Sequence, residues 1–171
     1  MSSGSLKPAA FRIDYSRRVR ELKTEAILFA VSAPPPNKTA VINAIWDTGA
    51  THSVITPEIA RFLQLFPIDT IPIIGVNNEK PESKPVSIVH VGLPNNVLLQ
   101  TRRVSITNIG GGADMLIGMD IISLGDFLIS NAGNKTSFSF IMPPFPEKPD
   151  WVELARKMNP EQDGPQPEMP K

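Results

Sequence analysis

The chain has 171 residues, 41% of them hydrophobic, with 17 basic and 17 acidic side chains and a formal net charge of zero. That is enough for one ordinary domain and a tail, and the balance gives no electrostatic reason to expect nucleic acid or an anionic membrane as a partner. Cysteine is absent, which excludes disulfides, thiol catalysis and Cys-ligated metals, and two histidines, His52 and His90, are too few for a His-based metal cluster. No metal and no cofactor are expected.

In chain order, residues 1–10 are small and polar, without the apolar stretch of a signal peptide, and are expected to be disordered. Apolar stretches such as Ala26 to Val31 are too short to span a bilayer, so a cytoplasmic location is the expectation. The basic cluster Arg17, Arg18, Arg20 and Lys23 reads as a solvated face. Leu22 to Ser32 reads as a strand and 33–38 as a Pro-rich turn. Thr39 to Trp46 is a second strand, apolar enough to be buried on both faces. Thr56 can cap a helix, Pro57 suits its first position and Glu58 its positive end, which predicts a helix over 57–65 with Ile59, Phe62, Leu63 and Phe66 at helical spacing.

Strands follow at Ile71 to Val76 and Val86 to Val91, a hairpin with a polar tip, and at Val97 to Ile106. Gly110 to Gly112 is a flexible joint. Asp114 to Gly118 reads as a short buried strand, Met119 to Leu124 as a short helix, and Phe127 to Ser130 with Thr136 to Ile141 as a closing hairpin. Eight of the 18 prolines fall at 143–171, so the folded domain is 11–142 and the rest is a tail. Within the tail, Trp151, Leu154, Ala155 and Met158 recur at helical spacing over 151–158; this reads as a short helix packed on its own domain or as no stable element, ahead of a docking helix or an autoinhibitory peptide. The fold class is therefore all-β with one or two short helices.

The residues that carry chemistry are Asp47-Thr48-Gly49-Ala50, on a turn that leaves one apolar strand and leads to a capped helix. A lone Asp-Thr-Gly is a weak signal, and an Asx-turn is the ordinary alternative. Here it is joined by a distant second element, Leu116-Ile117-Gly118, apolar residues before a glycine with a helix after it. Two such carboxylates brought together share a proton, so that one activates a water while the other donates to a carbonyl. Thr48 offers a hydroxyl to brace the loops, and Gly49 lets a backbone N–H approach the carboxylate. Asp114, Asp120 and Asp126 read as surface or capping residues, His52 as a helix-entry or surface residue, and His90 as a packed or edge residue.

Asp47-Thr48-Gly49-Ala50 together with Leu116-Ile117-Gly118-Met119-Asp120-Ile121-Ile122 resembles the retropepsin-like family of single-domain aspartic proteases, in its small bacterial or phage-type form. The resemblance covers roughly residues 20–142. It implies a closed barrel, half of a pepsin-like architecture, with no internal repeat and hence a homodimer that contributes one aspartate per chain. It implies Asp47 as the catalytic carboxylate, Thr48, Gly49 and Ala50 as its supports, and Leu116, Ile117 and Gly118 packed under the loop. Gly75, Val76, Asn77 and Asn78 would form the substrate-binding flap. The implied partners are a second copy and a polypeptide substrate. Two positions depart from the retroviral pattern: Met119 stands where an arginine is common, and the flap is rich in Asn and Pro where glycine is usual. The altered flap leaves open an alternative, a dimerisation or peptide-binding module with little proteolysis.

Overall fold

The computed structural model describes residues 7–31, 38–73, 81–147 and 150–158. Strand β1 (Ala9–Asp14) opens it, and Ala9 and Ala10, expected in a disordered segment, are its first two residues. β2 (Leu22–Ala30) and β3 (Thr39–Trp46) follow. β3 alternates buried and exposed positions, and Val41 is 70% exposed, so the expectation of burial on both faces is corrected. One face lies on the core and the other on solvent, as an antiparallel neighbour allows. β4 (Val54–Ile55) leads into α1 (Pro57–Phe62), where the Thr56 hydroxyl caps the helix by accepting from the Ile59 N–H at 3.4 Å. α1 stops short of 65 because Gln64 takes a left-handed backbone (φ 55), and Phe62 and Phe66 lie 59% and 75% exposed.

β5 (Asp69–Ile73), β6 (Glu82–Leu93) and β7 (Val97–Ile106) form the next run. Of the polar tip expected at 77–85, residues 77–80 lie outside the described residues, whereas Glu82–Pro85 are corrected to strand, paired with β5 as the first part of β6. A 3₁₀ turn at Gly110–Gly112 precedes β8 (Met115–Ile117), α2 (Met119–Ile122), β9 (Asp126–Ser130) and β10 (Ser137–Met142). A final helix, α3 (Trp151–Met158), carries Trp151, Leu154 and Met158 exposed.

Six strands close into a barrel in the order β2-β3-β8-β4-β7-β6, with β6 returning to β2. Closure is possible because β6 is long enough to serve two neighbours: Val89–Gly92 pair with β2, and Glu82–Val86 pair with β5, which extends outside the ring. Closing the sheet removes exposed edges. A histidine marks the irregularity in the β6–β7 ladder: His90 sits at a register shift between Val89 and Val91, and its Nδ1 accepts the Thr101 N–H at 2.8 Å.

The second sheet is β1-β10-β9, all antiparallel. Its inner face and Trp46 bring five aromatic rings together. Trp46 stacks on Phe127 at 5.3 Å and meets Phe140 at 5.1 Å, while Phe11 packs edge-on to Phe138. The indole N–H is satisfied inside this apolar cluster by Thr24 Oγ1 at 3.1 Å. Inside the barrel, Leu28, Ile42, Ile55, Met115, Ile117 and Ile121 are almost wholly buried. Apolar burial of this kind is the main favourable contribution to the fold.

Candidate active site

The order of the short strands places Asp47. β8 lies between β3 and β4, parallel to the first and antiparallel to the second, so the turn joining β3 to β4 must pass over the end of β8. The last rung of the β3–β8 ladder is Trp46 opposite Ile117, and the Asp47 N–H then donates to the Ile117 carbonyl at 2.9 Å. The turn closes tightly after it. The Ala50 N–H donates to the Asp47 carbonyl at 3.2 Å, and the Gly49 N–H to Asp47 Oδ1 at 2.8 Å. A Cβ on Gly49 would sit 3.2 Å from that oxygen, so glycine lets the N–H reach the carboxylate. Asp47 and Ala50 are half-buried, and Thr48 and Gly49 are exposed. Among the described residues, the second carboxylate oxygen of Asp47 has no protein partner.

The segment after β8 is pressed against this turn. A Cβ at Gly118 would lie 2.7–2.9 Å from backbone atoms of Ala50 and His52, distances that real side chains do not tolerate. Only glycine permits this approach. The contact is fastened by hydrogen bonds: the Met119 N–H donates to the Ala50 carbonyl at 2.8 Å and the Asp120 N–H to the Thr51 carbonyl at 3.3 Å. Ser53 adds a side-chain link. Its hydroxyl accepts from the Gly118 N–H at 3.1 Å and donates to Asp120 Oδ1 at 2.8 Å. Met119, at the position where retroviral enzymes commonly carry arginine, is exposed and uses its backbone here.

Asp47 and Thr48 open onto a cleft of about 500 Å³ that is also lined by Arg20, Leu116, Phe127 and Ile129. Leu116 is half-buried on its wall, whereas Ile117 and Gly118 are buried. The structure thus brings Asp47, Thr48, Gly49, Ala50, Leu116, Ile117 and Gly118 into one locality. Gly75, Val76, Asn77 and Asn78 lie outside the described residues. His52 is exposed and faces a different pocket, of about 320 Å³, with Arg102, Arg103 and Asp120. Arg20, read from sequence as part of a solvated face, and the strand β9 are members of the cleft that the motifs did not announce. The signal for β9 was its short apolar run, Phe127 to Ile129, which marks a strand but not its place in the cleft.

At the base of the β5–β6 arm, the Arg103 guanidinium bonds the Asp69 carboxylate and holds it below the usual aspartate range, aided by the Thr70 N–H at 2.8 Å. Asp114 and Asp126 bond backbone amides, those of Asn43 and Phe145, each at 2.9 Å or less. Among the described residues, no three His, Cys, Asp or Glu side chains are grouped to hold a metal ion, and no helix is long and apolar enough to cross a membrane. A carboxylate anchored by one oxygen and open at the other can orient a water or accept a proton from it.

Three solved structures are similar to this one. A retropepsin-like aspartic protease from Rickettsia conorii shares 16% identity, with 80% of this chain and 96% of that chain covered and a TM-score of 0.49. EIAV protease complexed with the inhibitor HBY-793 shares 16%, with 61% and 86% covered and a TM-score of 0.43. The retroviral protease-like domain of Ddi1 from Leishmania major shares 14%, with 71% and 95% covered and a TM-score of 0.39. No curated protein matches the sequence at a significant level. The family model described as gag-polyprotein putative aspartyl protease matches residues 37–123, more than half of the chain and the whole stretch from the turn before β3 to the end of α2. On that match, this mostly β chain with its closed six-stranded barrel belongs to the retropepsin-like aspartic protease family.

Proposed function

We propose that the chain is an aspartic endopeptidase that works as a homodimer. A water held between the Asp47 carboxylates of two copies attacks the carbonyl of a bound peptide bond. The observation that carries this reading is the state of Asp47: it lines the cleft, one oxygen is fixed by the Gly49 N–H, and the other has no protein partner among the described residues. The sequence holds one Asp-Thr-Gly and no repeat of it, so a second carboxylate has to come from a second copy.

Two facing carboxylates hold one proton between them, because both cannot ionise cheaply at hydrogen-bond range. The ionised member takes a proton from the attacking water. The protonated member donates to the carbonyl oxygen as the tetrahedral intermediate forms. The proton then passes to the leaving amine as the C–N bond breaks. Thr48, exposed beside Asp47, would brace the partner's turn, and residues 75–78 would cover the peptide.

The test is incubation of the purified protein with a mixed-sequence peptide library from acidic to neutral pH, beside Asp47→Asn and His52→Ala. Asn keeps an acceptor for the Gly49 N–H, so Asp47→Asn should fold normally and lower the rate by roughly 10²- to 10⁴-fold. His52→Ala should retain most activity. Equal cleavage by wild type and Asp47→Asn would remove the support for an aspartic mechanism. Peptide binding without cleavage by the wild type would favour the peptide-binding module instead.

A further inference from the structure

We infer that Ser53 and Asp120 act as positioning residues for Asp47, one linking the turn to the α2 segment by its hydroxyl and the other fixing that hydroxyl's direction. The inference rests on the catalytic reading of Asp47 and names two side chains that serve the same site from behind it.

Ser53 is fully buried, four residues past the Gly49 that holds the carboxylate. A buried hydroxyl has one proton to give and lone pairs that accept. Asp120 Oδ1, as a carboxylate oxygen, can only accept while it is ionised. The Ser53 proton is therefore committed to Asp120 at 2.8 Å, and a lone pair is left to receive the Gly118 N–H at 3.1 Å. The backbone of the same two residues is also engaged. The Ser53 carbonyl accepts from the Ser105 N–H at 3.0 Å, and the Asp120 N–H donates to the Thr51 carbonyl. Three of these bonds cross-link the strand leaving the Asp47 turn to Gly118 and the first turn of α2, and the fourth ties Ser53 to β7.

The cross-link matters because Gly118 is the surface on which the turn rests. Gly118 follows Ile117, whose carbonyl fixes the Asp47 N–H, and it touches Ala50 and His52 with no space for a side chain. A shift of Gly118 therefore moves both supports of Asp47 together. Two carboxylates that must share a proton tolerate little displacement, and an error of an ångström in such geometry costs roughly 10²-fold in rate. Asp120 sits half-buried at the wall of the 320 Å³ pocket beside His52, so shortening it opens no cavity in the core. Its contribution is directional, not volumetric.

The experiment compares wild type with Asp120→Ala, Asp120→Asn and Ser53→Thr. One readout is kcat and KM on the peptide that the wild type cleaves fastest from a mixed-sequence library. The other is amide hydrogen exchange at Gly49, Gly118 and Phe140. Asp120→Ala should lower kcat by roughly 10- to 100-fold with KM changed by less than about threefold. Exchange at Gly49 and Gly118 should rise by roughly tenfold while Phe140, in the other sheet, stays as it was. Asp120→Asn keeps the accepting oxygen and Ser53→Thr keeps the hydroxyl, so both should return to near wild-type values. Unchanged exchange at Gly49 in Asp120→Ala would overturn the inference, as would failure of Asn to rescue or an equal rise at Phe140. If the wild type cleaves nothing, the protease reading fails, and the exchange arm still decides whether Ser53 and Asp120 hold the turn.

Discussion

Trp46 and Asp47 are neighbours in the chain but belong to regions held by different forces. Trp46 lies among Phe11, Phe127, Phe138 and Phe140, where five rings pack at 5–6 Å with one indole hydrogen bond to Thr24. Asp47 lies on a turn fastened by backbone amides and one buried hydroxyl. Aromatic packing is strong and adaptable: each ring pair contributes about 0.5–1.5 kcal/mol beyond its buried area, over a range of tilts. Hydrogen bonds contribute a similar amount each, about 0.5–1.5 kcal/mol, without the large buried area that accompanies a ring, but they fix distance and direction. The first region supplies cohesion and the second supplies geometry. A carboxylate that has to face another carboxylate needs the second, anchored on the first.

Substitutions can separate the two contributions. The largest loss of stability should come from Phe138→Ala, which empties a wholly buried ring site and should cost about 3–5 kcal/mol in urea unfolding. If that variant lost much less, the sheet β1-β10-β9 would not be the cohesive part. Gly118→Ala comes next. Its Cβ would meet the backbone carbonyls of Ala50 and His52, so the turn must move, and overpacking of this kind costs about 1–3 kcal/mol. The peptide-cleaving rate should fall further than stability does. A variant with full activity would contradict the role given to the turn. The smallest effect belongs to Asp69, outside both regions. Its folded carboxyl is held below the ordinary range by Arg103, so the stability this contributes is present above the unfolded value, about 4. It is lost as pH falls through the lower folded value. Arg103→Ala should remove that acid-side slope in thermal melts and leave the neutral melting temperature nearly unchanged, because the pair is exposed.

Much of this architecture was legible in the residues. The strands Thr39–Trp46 and Val97–Ile106 have the bounds that their apolar runs suggest, and the α1 start follows from Thr56-Pro57-Glu58. Each of these depends on neighbours along the chain. The misses depend on neighbours in space. The apolar spacing of Ile59, Phe62, Leu63 and Phe66 suggests a helix to 65, but the chain turns left-handed at Gln64 and leaves Phe62 and Phe66 in solvent. β1 was passed over although Phe11, Ile13 and Tyr15 alternate, because six residues of weak alternation are persuasive only once their partner strand is known. The candidate site divides the same way. Asp47-Thr48-Gly49 and Leu116-Ile117-Gly118 were legible as motifs. Asp120, expected at the surface or as a cap, bonds a serine 67 residues away, and no local pattern encodes that.

The pairing of β1 with β10 also sets an order on synthesis. The register runs from Ala9 opposite Met142 to Asp14 opposite Ser137, so β1 is synthesised before the nine other strands described here and its ladder partner among the described residues, β10, after them. Until that partner emerges, Phe11 and the inner face of β1 have no sheet to join. Pairings so distant in sequence form late and slowly. Trp46 would wait for its aromatic neighbours during the same interval, and with it the turn that follows. The nascent chain can build much of the barrel while Asp47 still rests on an unfinished support.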